Sequence, residues 1–208
     1  ELFRFSTARG EGLVRLAERA DIPRLITLNA RCFPSMLEEN VVWNRGQLAN
    51  HQRLFPEGQL VAEVGGEILG AAASLIVHLG RDPLRQHTYS GITDGGYFHS
   101  HDPEGDSLYG ADVYVDPDAR GLGLGHQLYE ARRQLCERLN LRRIIAGGRI
   151  EGYAECAATM SPSQYVRSVE QEQRRDQALS FQLREGFVVR GLLPHYITDP
   201  RSHNYATF

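Results

Sequence analysis

The sequence predicts an α/β (α+β) fold, a mixed sheet flanked by helices, and three observations carry this. Gln59 to Val64 and Glu67 to Leu75 are strand-like runs on either side of Gly65-Gly66, a dipeptide suited to a two-residue hairpin. Asp106 to Val115, His126 to Asn140 and Arg143 to Gly147 read as strand, helix and strand, which implies a right-handed crossover between parallel strands. Between the first two of these lies Val113-Tyr114-Val115-Asp116-Pro117-Asp118-Ala119-Arg120-Gly121-Leu122-Gly123-Leu124-Gly125, a strand that turns through a glycine-rich loop into a helix.

The remaining elements follow in order. Residues 1–11 read as an N-terminal extension, and Gly12 to Leu16 as a short first strand. Asp21-Ile22-Pro23 starts a helix, with Asp21 as cap and proline in the first turn. Ile22, Leu25, Ile26, Leu28 and Phe33 form its apolar face. From His78 to Asp106 the pattern breaks into Gly, Asp, His, Pro and Ser, a long connection of the kind that is often functional. In the helix after the loop, Leu124, Leu128, Ala131, Leu135 and Leu139 recur at helical spacing. Gln127, Glu130, Arg132, Arg133, Glu137 and Arg138 are expected on its solvent side, and Cys136 as a small buried apolar residue. Ser161-Pro162-Ser163-Gln164 reads as a capping box. A further helix runs from near Asp176 to Gly186, a left-handed C-terminal cap, and Phe187 to Leu193 reads as a strand. Tyr196 to Phe208 has little pattern and reads as a tail or the start of a linker.

The 208 residues suffice for one domain with a sizeable core, so 1–208 is expected to be a single domain. A net charge of −3 gives no general attraction to nucleic acid or anionic membrane. No apolar run approaches the ~20 residues of a membrane span. Glu1-Leu2-Phe3-Arg4-Phe5 has no signal-peptide core, and a chain that opens without Met is expected to start inside a longer one. Cys32, Cys136 and Cys156 are widely spaced, which suits a reducing, cytoplasmic setting.

The loop carries the chemistry. Its glycines allow close backbone approach, and the helix that follows directs free N–H groups and a positive dipole end at whatever sits there. Such a loop suits a phosphate or pyrophosphate. The P-loop pattern fails because Gly125 is followed by His126-Gln127. The dinucleotide fingerprint fails because its third glycine would be His126 and no first βαβ unit precedes it. An ordinary glycine-rich turn is the remaining alternative.

The spacing Arg120-x-x-Gly123-x-Gly125, with Val115-x-Pro117 upstream, resembles the acyl-CoA signature of the GNAT superfamily of N-acetyltransferases. The stretch Ala178-Leu179-Ser180-Phe181-Gln182-Leu183-Arg184-Glu185-Gly186-Phe187 resembles that family's closing helix and Gly-Phe strand. The likeness spans most of residues 12–193. It implies a mixed, mostly antiparallel central sheet splayed between strands 4 and 5, here Tyr109–Val115 and Arg143–Gly147. Leu108-Tyr109-Gly110-Ala111-Asp112-Val113, Leu128-Tyr129-Glu130-Ala131-Arg132-Arg133 and Gly147-Gly148-Arg149-Ile150 resemble one branch, in which this domain precedes a carbon–nitrogen hydrolase (nitrilase-like) domain.

The resemblance implies acetyl-CoA as cofactor and a primary amine, on a small molecule or a peptide, as acceptor. Amides from Gly121 through Leu122, Gly123, Leu124 and Gly125 to His126 would hold the pyrophosphate, and Arg120 would add charge or lie on the outer face. The strand Val113-Tyr114-Val115 would pair with the cofactor's amide arm like an added strand. Candidate bases are Asp112, Glu151 and Tyr109, each with a plainer alternative: Asp112 capping a turn or facing solvent, Glu151 pairing with Arg149, and a water chain to bulk in place of either. The tyrosine that many relatives carry four residues before the Gly-Phe glycine is Gln182 here, and the asparagine seven residues earlier is Arg175. Gln182 donates a hydrogen bond but supplies no proton, so Tyr153 or Tyr165 is the alternative acid, unless both are packing residues. A thiolate, reference pKa about 8.5, also leaves without help.

His99-x-His101-Asp102 invites a metal reading, but two histidines without a second cluster favour loop or substrate-pocket roles, so no metal is expected. Trp43 and the segment Phe33 to Phe55 either line the acceptor side or pack the core. The expected partners are the acceptor amine, a hydrolase domain in cis or in trans, and a second copy in a homodimer. A non-catalytic CoA-binding regulatory or docking module is the alternative to an enzyme, and Gln182 motivates it.

Overall fold

The computed structural model describes residues 2–36, 42–80 and 86–208. By internal packing the chain divides into two compact units, Glu1–His78 with Thr93–Ile144, and Leu79–Ile92 with Ile145–Phe208.

The first unit is built on strands β1 (Phe3–Thr7), β2 (Gly10–Leu16), β3 (Gln59–Val64), β4 (Glu67–Val77) and β5 (Ser107–Val115), with helices α1 (Ile22–Cys32) and α2 (Arg45–Leu54) between β2 and β3. α3 (Tyr89–Thr93) falls almost wholly in the second unit, and after β5 come α4 (Leu124–Arg138) and β6 (Arg143–Ile145). Six strands form one sheet in the order β1-β2-β3-β4-β5-β6, and every pair from β1 to β5 is antiparallel. The fold is therefore the mixed, mostly antiparallel α/β type. What the sequence presents as an extension, residues 1–11, contains β1, hydrogen-bonded along its length to β2. The strand 109–115, fourth by sequence, is thus the fifth.

Gly65 and Gly66 turn the β3–β4 hairpin at φ +62 and +82, where other residues are strained. One sheet face packs on α4, through Val14, Leu60, Ala62, Val64, Ala72, Leu124, Leu128 and Ala131. α1 packs against β4 and β5 and against α2. Asp21 does not cap α1 through its side chain. It holds Arg15 in a two-point ion pair (2.7 and 3.0 Å) and accepts from the Glu18 amide. Burial raises the Asp21 pKa, but these donors more than offset it, so the group ends below its ordinary value. A lowered carboxylate contributes stability above its unfolded pKa and loses it as pH falls through the folded one. Asp21→Asn is therefore expected to flatten the acid limb of stability against pH, read by urea unfolding at a series of pH values. An unchanged acid limb would count against this pair.

The second unit has β7 (Gly148–Arg149), α5 (Pro162–Glu170), α6 (Gln177–Arg184), β8 (Leu192–Leu193) and β9 (Ala206–Thr207). The predicted capping box is present: Ser161 accepts from the Gln164 amide and Gln164 accepts from the Ser161 amide. Asp176 caps α6, and Gly186 follows it at φ +89. The expected strand 187–193 shrinks to Leu192–Leu193, with Val188 61% exposed, because only its end finds a partner. That partner is β9, from the stretch expected to be a tail. β9 lies between β7 and β8 in a three-stranded sheet.

Candidate active site

The glycine-rich loop is anchored at its start. Asp116 is 2% exposed and accepts from the Asp118 amide. Arg31, at the end of α1, pairs with Asp116 at 3.2 Å and also with Asp118. Gly121 and Gly123 lie at φ +84 and +81, with no heavy atom within 4 Å of where a Cβ would stand. Both are thus glycine for backbone conformation, and the space beside them is open. Gly123 is the N-cap of α4, and Gln127 N–H to Gly123 C=O (3.1 Å) is the first bond of the helix. The helix starts at Leu124, two residues before the expected His126. Leu124 and Gly125 thus belong to its first turn, with amides directed back over the loop. Leu124 is buried, while Arg120, Gly121, Gly123 and His126 are exposed. Leu122, Val113 and Val115 pack against the α4 core.

Asp112 precedes this loop on β5, where the β4–β5 register slips. Ser74 faces Gly110 and Ala73 faces Asp112, so Ala111 is the extra residue of a bulge. The Asp112 carboxylate is half-buried. It accepts from Asn29 Nδ2 (3.2 Å) and Trp43 Nε1 (3.0 Å). Asn29 Oδ1 in turn accepts from the Trp43 amide. Tyr114 is buried with its phenol pKa raised by burial, then by Asp112. Burial, followed by Asp112, pushes the Cys32 thiol up to about 11, so it is neutral. Tyr109 is fully buried in β5.

The other candidates lie in the second unit. Glu151 is taken up by ion pairs with Arg149 (2.5 Å) and Arg201 (3.6 Å), and Arg149 also reaches Asp199 at 3.2 Å. The Tyr153 and Tyr165 hydroxyls are both engaged within this unit. The Tyr153 hydroxyl donates to the Met160 carbonyl (3.0 Å), that of Tyr165 to Asp176 (2.8 Å), and their rings pack edge-on at 5.7 Å. Gln182 lies over Gly148, where a Cβ would come within 2.2 Å of its Oε1.

The histidine pair has structural partners. His99 Nδ1 meets Asp94 at 2.7 Å, and His101 Nδ1 accepts from the Ile76 amide (3.1 Å) with its ring stacked on Phe55. Among the described residues no group of three His, Cys, Asp or Glu could hold a metal ion. Among the same residues no helix is long and apolar enough to cross a membrane. Of the stretch expected beside the acceptor, Trp43, His51 and Phe55 are buried, while residues 37–41 lie outside the described residues, as do 81–85 of the long connection.

Asn29 and Arg132 escape sequence reading. Arg132, expected on the solvent side, is 1% exposed. It donates to Ser74 Oγ (3.0 Å) and to the carbonyls of Ala73 (2.8 Å) and Asp112.

The family profile described as acetyltransferase (GNAT) family matches residues 22–154. The chain belongs to the acetyltransferase (GNAT) family. It is 43% identical over 196 residues to the probable hydrolase YhcX of Bacillus subtilis, covering 94% of this chain but only 37% of YhcX. It is 38% identical over 192 residues to the uncharacterized N-acetyltransferase YkwB of the same organism, covering 92% of this chain and 84% of YkwB. Among solved structures, the GNAT-like decarboxylase GphF in complex with isobutyryl-CoA superposes with a TM-score of 0.79, at 25% identity over 94% of this chain and 96% of that one.

Proposed function

We propose that this GNAT domain moves an acetyl group from acetyl-CoA to a primary amine by direct transfer. The observation that supports this most is the loop, with two glycines at positive φ opening into α4 and with open space at both Cβ positions. No protein atom fills that space, so a bulky anionic group can approach the amides of the loop. The amides from Gly121 to His126 would hold the diphosphate, with Arg120 beside them, and the backbone of Val113-Tyr114-Val115 would hold the amide arm. Acetyl-CoA supplies the activated thioester; as the amine bonds to the acetyl carbon the C–S bond breaks, and CoA leaves as the thiolate, which takes its proton from solvent. Asp112, held by Asn29 and Trp43, accepts the proton that the amine gives up as its C–N bond forms. Holding the two reactants together contributes several kcal/mol more.

A second reading, a CoA-binding module without turnover, is favoured by Gln182, which has no proton to give. A thiol-release assay with acetyl-CoA and an amine panel separates the two. Amine-dependent release supports the enzyme. Tight CoA binding without release on any amine supports the module. Comparable affinity for ATP or NAD would sink both. Because GphF is a decarboxylase, the panel includes a carboxylated acyl-CoA with CO2 release measured.

A further inference from the structure

A buried arginine sits under the one irregularity of the β4–β5 pairing. In an unbroken antiparallel register Ala111 would face Ala73, and Asp112 would turn to the α4 side of the sheet. The extra residue shifts everything after it by one. Asp112 and Tyr114 are thereby turned toward α1, and Val113 and Val115 toward α4, as the hydrogen bonds from Asn29 and Trp43 and the α4 core require. Arg132 occupies the α4 side of this bulge. Its guanidinium binds the carbonyls of both residues of the Ala73–Asp112 pair and the Ser74 hydroxyl, all oxygens without formal charge. Gly110 makes room for it, since a Cβ there would stand 3.1 Å from Nη1. The Arg132 ring neighbour is Tyr129, 5.2 Å from its carbon to the ring centroid. Burying a cation among neutral oxygens is costly. An uncharged side chain would leave those carbonyls without this donor, and the charge of Arg132 is supported electrostatically by Tyr129 and then by the Asp112 carboxylate.

We propose that Arg132 is a positioning residue for Asp112: it locks the bulge that presents this carboxylate toward α1 and α2. The proposal rests on the reading of Asp112 as the base, but its own test does not need turnover. Trp43 is the single tryptophan of the chain, and its indole N–H is bonded to Asp112. The indole resonance in NMR therefore reports the protonation of Asp112 as pH is lowered. Among the described residues the titratable groups here are Cys32 from α1 and Tyr114 from β5, both neutral through the acid range, and His51 from α2; Asp116, Arg31 and Arg120 act on Cys32 as charges. His51 lies edge-on to Trp43 at 4.8 Å and titrates at about 4 because of burial, so Asp112→Asn serves to isolate its step.

In wild type we expect an Asp112-dependent step that Asp112→Asn removes. In Arg132→Met the step moves upward by about one pH unit, since a nearby cation favours the carboxylate. Arg132→Lys restores part of the shift by keeping the charge, and Ser74→Ala, which removes one anchor at little volume, gives a smaller shift in the same direction and stands in where Arg132→Met fails to fold. A step that stays at the wild-type pH in Arg132→Lys, Arg132→Met and Ser74→Ala would overturn the proposal. Amine acetylation in the thiol-release assay is read separately. Full activity of Asp112→Asn sinks Asp112 as base while leaving the Arg132 coupling intact. If Asp112 is the base, Arg132→Met lowers kcat about 10-fold or more with the KM for acetyl-CoA unchanged, and adds little to Asp112→Asn in the double variant. Independent, multiplying losses in that double variant would also overturn it.

Discussion

Replacing Gly123 by glutamate is expected to abolish coenzyme A binding without unfolding the protein. Gly123 sits at φ +81 as the N-cap of α4, with no heavy atom within 4 Å of a built Cβ. The new side chain therefore meets open space in the protein and costs only left-handed backbone strain, about 1–2 kcal/mol. It stands at the N-cap, beside the opening amides of α4. It sets a carboxylate against any diphosphate bound there, in the end of the helix dipole that favours a single anion. Gly123→Ala carries the same backbone strain without the charge. By calorimetry we expect Gly123→Glu to lose at least about 100-fold in CoA affinity, roughly 2.7 kcal/mol, and Gly123→Ala to lose much less. Equal affinity in a folded Gly123→Glu would move the binding site elsewhere.

The second large effect concerns the other unit. Asp176 is 2% exposed and accepts four hydrogen bonds: from the Ala178 and Leu179 amides that open α6, from the Gly152 amide, and from the Tyr165 hydroxyl at 2.8 Å. Asp176→Ala removes a helix cap, about 1 kcal/mol, leaves the buried Tyr165 hydroxyl without a partner, about 1–3 kcal/mol, and leaves the half-buried Gly152 amide without an acceptor, about 1 kcal/mol. We expect a loss of about 3–5 kcal/mol and a Tm lower by about 10 °C, with Asp176→Asn intermediate because it keeps the cap. A loss under about 1 kcal/mol would show that this hub matters less than its geometry implies.

Local chemistry explains what the sequence makes legible. Paired glycines, a serine–proline capping box and an aspartate before α6 each act within a few residues, and each is found where its spacing places it. The glycine loop is legible for the same reason. The failures share another cause, partners that arrive from a distance. β1 is half-exposed along an edge, so its alternation is carried by Phe3 and Phe5 alone and is easily read as an extension. β9 is two residues long, and only its position between β7 and β8 makes it a strand. Arg132 is the instructive case. It lies four residues after Leu128 on the apolar stripe of α4, yet its charge argues for solvent. Only the slipped β4–β5 register, which exposes carbonyls to that face, explains a buried guanidinium. Tyr153 and Tyr165 mislead in the opposite sense. As sequence they are available hydroxyls, and in the fold both hydroxyls are already bonded to neighbours within the second unit.

The most direct measurement is a crystal structure of this protein grown with acetyl-CoA. We expect the diphosphate on the backbone amides between Gly121 and His126, and the pantetheine arm paired with the main chain of Val113 and Val115. Density for the cofactor at any other place, with the glycine loop bare, would contradict it.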